Sequence, residues 1–253
     1  MARFAPVCPP HILEKLQPLN SGDYHLLLAH DVAANPAYKA FFDKFRNFTI
    51  IMDNSVIELG NAVNLDVIKN ACYQVPPSTI VLPDVLLDAK ATVDSCGAAL
   101  PIWTEAFADI IGNTFDTGRG FMIVPQGKTI QEWAWCAEQF KDDLRINYWG
   151  IPRNLVDQIG TRRDAIEIAH ALCPHRQIHL LGFSDNIVDD VLCSRNRLVA
   201  GIDSAVPLRA ASEGKQISFD LQIGPRGDWW DNCQHVLGMD FNIQTYKQWI
   251  RWS

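Results

Sequence analysis

The chain has 253 residues, 48% of them hydrophobic and 20% charged, the profile of an ordinary globular protein long enough to bury a sizeable core within one domain. A formal net charge of -7 at pH 7 argues against coating of nucleic acid by charge alone and leaves room for a local basic patch. No apolar run reaches the ~20 residues of a membrane-spanning helix, residues 1–10 lack the apolar core of a signal peptide, and the seven cysteines are scattered without a CxxC pair. A cytoplasmic protein with reduced thiols is expected, with neither a disulfide framework nor a zinc knuckle.

Residues 1–22 carry four prolines and no periodicity, and read as a lead-in over the surface. Strand and helix signals then alternate. A strand over His25–His30 precedes a short amphipathic helix in Asn35–Phe45, with Pro36 just inside its start. A strand over Phe48–Met52 precedes a helix over Leu65–Tyr73 capped by Asn64, and a strand over Thr79–Leu82 precedes a helix from about Asp88 to Phe107. After a turn at Asp116–Gly120 come the strand Phe121–Val124 and the helix Thr129–Phe140. The strands Arg145–Ile151 and Gln177–Gly182 are followed by helices over Arg162–Leu172 and from Ser184 to Cys193, and Leu198–Ile202 is a further strand.

Strands apolar on both faces, alternating with helices, predict a parallel sheet covered by helices. An open doubly wound sheet and a closed barrel both satisfy this pattern. Polar residues after nearly every strand favour the barrel, because an open sheet concentrates its site at one switch point. The expected fold is therefore α/β, a single (β/α)8 TIM-like barrel over residues 1–253. Its eighth strand falls on Ile217–Ile223, inside a tail that otherwise reads as loop. Residues 210–253 form a C-terminal extension rich in aromatics, with Trp229, Trp230, Trp249 and Trp252 expected to pack against the barrel bottom or a dimer partner.

Several apolar runs end in a carboxylate or amide: Ile50-Ile-Met-Asp53, Ile80-Val-Leu-Pro-Asp84, Met122-Ile-Val-Pro-Gln126-Gly127 and Val199-Ala-Gly-Ile-Asp203. At C-terminal strand ends such groups converge across the barrel mouth, where carboxylates serve as nucleophile, as general acid or base, or as metal ligands. Capping of the next helix is an equally good account of any one aspartate. It is a poorer account of all three, whose spacers to the next helix differ. Gln126 with Gly127, and Gly150 with Ile151, suit close approach to a planar heterocycle, with turn chemistry as the alternative. His179 lies within an apolar run and reads as a satisfied core residue. Neither Cys173-Pro-His175 nor Cys233-Gln-His235 brings four metal ligands together, and no GxGxxG or GxxxxGK[ST] motif occurs. Arg195, Arg197 and Arg209, with Arg162 and Arg163, could collect phosphates on one face, although surface solvation is the better account of any single one.

Taken in order, these strand-end phrases resemble those of the queuine tRNA-guanine transglycosylase superfamily, TIM barrels that exchange guanine for a 7-deazaguanine. Met52-Asp53-Asn54-Ser55 resembles the family's Asp-Ser-Gly-Gly, which carries a general acid/base aspartate, and Leu82-Pro83-Asp84 resembles Phe-Asp-Glu, whose aspartate reads the guanine edge. Ile123-Val-Pro-Gln126-Gly127 is similar to Gly-Ile-Val-Gln-Gly-Gly, and Tyr148-Trp-Gly150-Ile151 to Gly-Gly-Leu, where amides contact the base. His179-Leu-Leu181-Gly182 is similar to Tyr-Leu-Met-Gly, in which the position of Leu181 covers the ring. Gly201-Ile-Asp203-Ser-Ala-Val-Pro207-Leu-Arg209 resembles Gly-Ile-Asp-Met-Phe-Asp-Cys-Val-Leu-Pro-Thr-Arg, whose second aspartate is the nucleophile. Here the segment is shorter and keeps one aspartate. Anchoring on Pro207-Leu-Arg209 places Asp203 at the nucleophile.

The tRNA enzymes continue into a zinc subdomain of cysteines and a histidine, whereas only Cys233 follows Arg209 here. In this the chain resembles the compact DpdA-type members of phages and mobile elements, which insert 7-deazaguanines into DNA. The resemblance implies a glycosyltransferase without metal or cofactor that acts on guanine in DNA, less readily in tRNA, with free guanine and a 7-deazaguanine as small substrates. It would work in a cytoplasm, that of the host if phage-encoded, without a membrane, and a homodimer is compatible with it. Asp203 and Asp53 would be catalytic. Ser55, Asp84, Gln126, Gly127, Gly150, Ile151 and Leu181 would hold the base, and Arg195, Arg197 and Arg209 the nucleic acid. The rival expectations are a zinc-free tRNA-guanine transglycosylase, a barrel hydrolase or lyase whose aspartates hold a divalent metal, and a non-catalytic nucleic-acid-binding barrel.

Overall fold

The computed structural model describes residues 1–13, 22–45, 48–111, 119–159, 161–182, 187–221, 233 and 237–251. Its centre is one parallel sheet of eight strands: β1 (Arg3–Pro6), β2 (His25–Leu28), β3 (Ile50–Asp53), β4 (Thr79–Val81), β5 (Gly120–Ile123), β6 (Ile146–Pro152), β7 (Gln177–Leu181) and β8 (Val199–Ser204). They run in the order β1-β8-β7-β6-β5-β4-β3-β2. The two outer strands curl back towards each other. Just ahead of β2, the Asp23 N–H donates to the Phe4 carbonyl at 2.9 Å, and the Phe4 N–H donates to the Asp23 carboxylate at 2.9 Å. The result is a nearly closed (β/α)8 barrel, the fold expected from the alternation of elements.

Side-chain alternation along each strand divides the interior in two. Residues such as Leu27, Ile50, Met52, Phe121, Trp149, Leu180 and Ile202 point outward and form the main core beneath the helices. Leu26, Leu28, Ile51, Val81, Met122, Val124 and Tyr148 point inward and fill the lumen. The helices begin where short polar side chains occupy the N-cap. Asn64, Asp88 and Thr129 accept from the backbone N–H of Val67, Ala91 and Glu132 at 3.0, 2.9 and 3.2 Å, which starts the helices Leu65–Gln74, Ala89–Ala106 and Ile130–Glu138. Asn35 does the same for Pro36–Phe42. A further helix, Ala29–Ala34, starts directly where β2 ends, so the expected first strand is shortened at Leu28.

One expectation is overturned. The eighth strand does not lie in Ile217–Ile223, whose described part, up to Leu221, contains no strand. The barrel is completed instead by β1 in the supposed surface lead-in. β1 pairs with β8 from Arg3↔Gly201 to Pro6↔Ser204 and leaves Phe4 and Ala5 fully buried. Four residues are too few to show a period, and the prolines that follow only punctuate the end of the strand. The Met239–Arg251 helix packs across the bottom of the β1–β2 seam. Its Lys247 Nζ reaches Asp23 at 3.0 Å and Arg251 pairs with the same carboxylate, while Tyr246 packs on Phe4 with ring centroids 4.8 Å apart. Trp249 of this helix stacks on Phe219, whereas Trp229, Trp230 and Trp252 lie outside the described residues, as do Ser184 to Asn186 and part of the expected Asp116–Gly120 turn. Among the described residues no helix is long and apolar enough to cross a membrane.

Candidate active site

Inward alternation carried one step past the last lumen residue brings polar side chains to the C-terminal mouth. Asp53 follows Ile51 on β3, and Asp203 follows Gly201 on β8. Asp53, Asp84, Gln126, Leu181, Gly182, Asp203 and Arg209 line a single cleft there, joined by Glu58 and Arg153. The cleft floor is the apolar top of the lumen, including Leu26, Leu28, Val81 and Val124.

Asp84 is buried, with both oxygens engaged. Asn54 Nδ2 donates to Oδ1 at 2.7 Å, and Gln126 Nε2 donates to Oδ2 at 2.6 Å. Burial pushes its carboxyl up to about 6, although these two amides pull the other way. The remaining bonds of the amides fix their orientation: Gln126 Oε1 accepts from the Leu87 N–H and from Asn154 Nδ2, each at 3.2 Å. Asn54 Nδ2 also donates to the Leu82 carbonyl at 2.7 Å. No cation is among these partners.

Asp53 is partly buried and lines the cleft. Desolvation raises its carboxyl well above the usual carboxylate range, and the nearby negative charges of Glu58, Asp84 and Asp203 add to the effect. The Ser55 N–H, donating to Asp53 Oδ2 at 2.8 Å, opposes it without reversing it. Ser55 stands at φ 63 and Leu87, in the loop after Asp84, at φ 60. This is the left-handed region that non-glycine residues rarely occupy, and such strain concentrates at functional sites.

Asp203 is held from two sides. His179 Nε2 lies 2.9 Å from Oδ1, and the Gly182 N–H donates to Oδ2 at 3.1 Å. The other imidazole nitrogen, Nδ1, is 3.1 Å from the Tyr24 hydroxyl. A carboxylate only accepts, so Nε2 carries a proton, and in the neutral imidazole Nδ1 then accepts from Tyr24. Burial drives the Tyr24 phenol upward, and the Asp203 charge adds to this, so the hydroxyl keeps its proton. Each oxygen of Asp203 retains lone-pair capacity toward the cleft.

The expected site residues thus divide. Asp53, Asp84, Gln126, Leu181, Asp203 and Arg209 converge. Gly127 does not serve ligand approach, since a Cβ there would stand 2.6 Å from the Trp133 nitrogen; its bareness admits the start of the Ile130–Glu138 helix. A Cβ at Gly150 would lie 2.8 Å from Leu181 Cδ1 and 2.9 Å from Val124 Cγ2, which places Gly150 in the packed lumen. Ile151 points outward into the main core, and Ser55 is fully buried, contributing its backbone. Arg195 and Arg197 are exposed but precede β8 at the strand-start end, and Arg195 Nε bonds the Trp249 carbonyl at 2.6 Å on the barrel bottom. The helix Ile187–Ser194 carries the chain back to that end, which removes both from the cleft. Arg162 is buried and committed to Asp190 and to the carbonyls of Ile151, Leu181 and Gly182.

Sequence reasoning missed His179, Tyr24, Asn54, Glu58 and Arg153. A signal for His179 was present: it lies two residues before Leu181 on the same strand, so an inward Leu181 implies an inward His179. Among the described residues no group of three His, Cys, Asp or Glu side chains is arranged to hold a metal ion. No protein-family model matches the chain, and no curated protein matches it either.

Proposed function

We propose that this barrel is a base-exchange glycosyltransferase that replaces guanine in a polynucleotide, DNA in the first instance, with a 7-deazaguanine through a covalent glycosyl-aspartate. The observation that carries the reading is the shared cleft. A carboxyl that burial raises well above the usual carboxylate range, Asp53, and an Asp203 hydrogen-bonded at both oxygens stand around a buried carboxylate–amide pair, Asp84 with Gln126. Pairs of acids with divergent environments divide acid from nucleophile in retaining glycosyl transfer.

Guanine presents adjacent N–H donors on one edge, and Asp84 retains acceptor capacity for them on both oxygens after its two amide bonds. Leu181 offers an apolar cover for the ring. Asp203 attacks C1′ as the bond to the base breaks, through a transition state with oxocarbenium character. The electron pair of that bond leaves with guanine, which takes a proton from Asp53. The incoming deazaguanine then gives its N9 proton to the Asp53 carboxylate while N9 attacks C1′, and Asp203 departs as the carboxylate, so the cycle closes without a redox partner or metal. Arg153 and Arg209 at the mouth supply cations for the phosphates beside the reacting nucleotide. A base in a duplex must first leave the stack.

Incubation with labelled guanine and either DNA or tRNA tests the proposal. Label is expected in DNA. Label in tRNA alone would reassign the polymer, and label in neither, with folded protein, would overturn the reading.

A further inference from the structure

We propose that Tyr24 and His179 are positioning residues that orient Asp203 for attack on C1′. This inference rests on the assignment of Asp203 as nucleophile. Tyr24 Oη, His179 and Asp203 Oδ1 form a continuous hydrogen-bonded chain, with steps of 3.1 and 2.9 Å. All three residues are nearly inaccessible to solvent, so no water competes for the imidazole nitrogens.

The lumen is shaped around this chain. Tyr24 meets the His179 ring edge-on, with centroids 5.6 Å apart and an interplanar angle of 85°. Gly201, the register partner of His179 on β8, leaves the space that the Tyr24 hydroxyl occupies: a Cβ there would lie 2.9 Å from Oη and 3.3 Å from His179 Nδ1. The Arg3 guanidinium sits 5.3 Å from the centre of the Tyr24 ring, and Arg3 also bonds Tyr148. An ordinary packed core needs none of these polar contacts, and leucine at position 179 would continue the apolar run.

The chemistry follows from the tautomer. With its hydroxyl donated to Nδ1, Tyr24 fixes the proton on Nε2, and that N–H points at Asp203 Oδ1. Gly182 holds Oδ2, and Arg162 grips the carbonyls of Leu181 and Gly182 at the same turn. Rotation of the carboxylate away from the cleft would therefore break a bond at each oxygen. As Asp203 leaves the glycosyl ester its negative charge returns, and the Nε2–H bond strengthens toward that state. The relay acts on the chemical step, whereas guanine binding belongs to Asp84 and Gln126.

The test measures labelled-guanine exchange, and separately equilibrium binding of free guanine, for the wild type and for D203N, H179A, H179Q and Y24F, with each fold checked by circular dichroism. H179A is expected to lower kcat about 10- to 100-fold, the effect of losing one charge-assisted hydrogen bond, with guanine affinity within twofold of wild type. H179Q keeps an N–H donor near Nε2 and should recover most of the lost rate, and Y24F should fall between. A folded H179A with wild-type kcat, or one whose rate and guanine affinity fall together, would overturn the relay. If H179A does not fold, a folded Y24F with wild-type kcat overturns it instead. An inactive D203N beside an unimpaired H179A removes the relay alone; an active D203N removes the nucleophile and the relay with it.

Discussion

The two ends of the barrel treat aspartate in opposite ways. At the bottom, Asp23 receives Lys247, Arg251 and the Phe4 N–H. Burial there raises its carboxyl, but these partners outweigh the burial and hold it below the usual range. At the mouth, Asp53 and Asp84 suffer the same desolvation with backbone and amide donors in place of cations, and both carboxyls are raised. Cations at the bottom fasten the seam between β1 and β2. At the mouth desolvation prevails at Asp53 and Asp84, and raised carboxyls of this kind cluster where acid–base chemistry is done.

The largest expected effect lies at the mouth. Asp53→Asn should lower base exchange by about 10²- to 10⁴-fold with no loss of melting temperature, as read from steady-state rates and calorimetry. If Asp53 were merely another fastening group, stability would fall and the rate would follow only through unfolding.

The reverse substitution experiment is Asp23→Ala. It should cost about 1–3 kcal/mol of stability, since the Phe4 N–H and Lys247 lose their acceptor, while kcat of the folded fraction is unchanged. Urea unfolding together with exchange assays separates the two quantities. Gly201→Ala sits between the two regions: its Cβ would crowd the Tyr24 hydroxyl, so both stability, by about 1–3 kcal/mol, and exchange rate should drop.

The smallest effect is a pH dependence of opposite sign at the two ends. Asp23, lowered in the folded state, stabilises above its unfolded value and loses that contribution as pH falls through its folded value. Asp84, raised to about 6, binds its proton more tightly in the folded state, so stability declines as pH rises from about 4 through 6. Between pH 5 and 7.5 Asp84 alone should remove about 1–1.5 kcal/mol. Urea unfolding of the wild type and Asp84→Ala at both pH values checks this: the variant should show a correspondingly smaller decline, and an identical decline would show that Asp84 is not the titrating group.

What could be read from the sequence follows the same division. Strands that end in an acid announce themselves, because an apolar run breaks at a charged residue, and Asp53, Asp84 and Asp203 were therefore legible as a set. β1 was hidden, since a four-residue strand ahead of several prolines carries no measurable period. His179 was obscured for another reason. A barrel strand is buried on both faces, so an apolar run does not reveal which residues face the helices and which the lumen; only the inward assignment of Leu181 supplies the phase. Arg195 and Arg197 were misplaced because closeness in sequence to β8 puts them at its start, a barrel length away from Asp203 at its end. Gly127 and Gly150 offered the right residue type, but their missing side chains make room for a helix and for Leu181.

The proposed mechanism requires Asp203 to become covalently bound to the sugar during exchange. Guanine-containing DNA mixed with the protein and denatured in detergent should yield a protein–DNA adduct that free guanine chases away and that D203N does not form. Exchange without any adduct under single-turnover conditions, or the same adduct in D203N, would contradict the account.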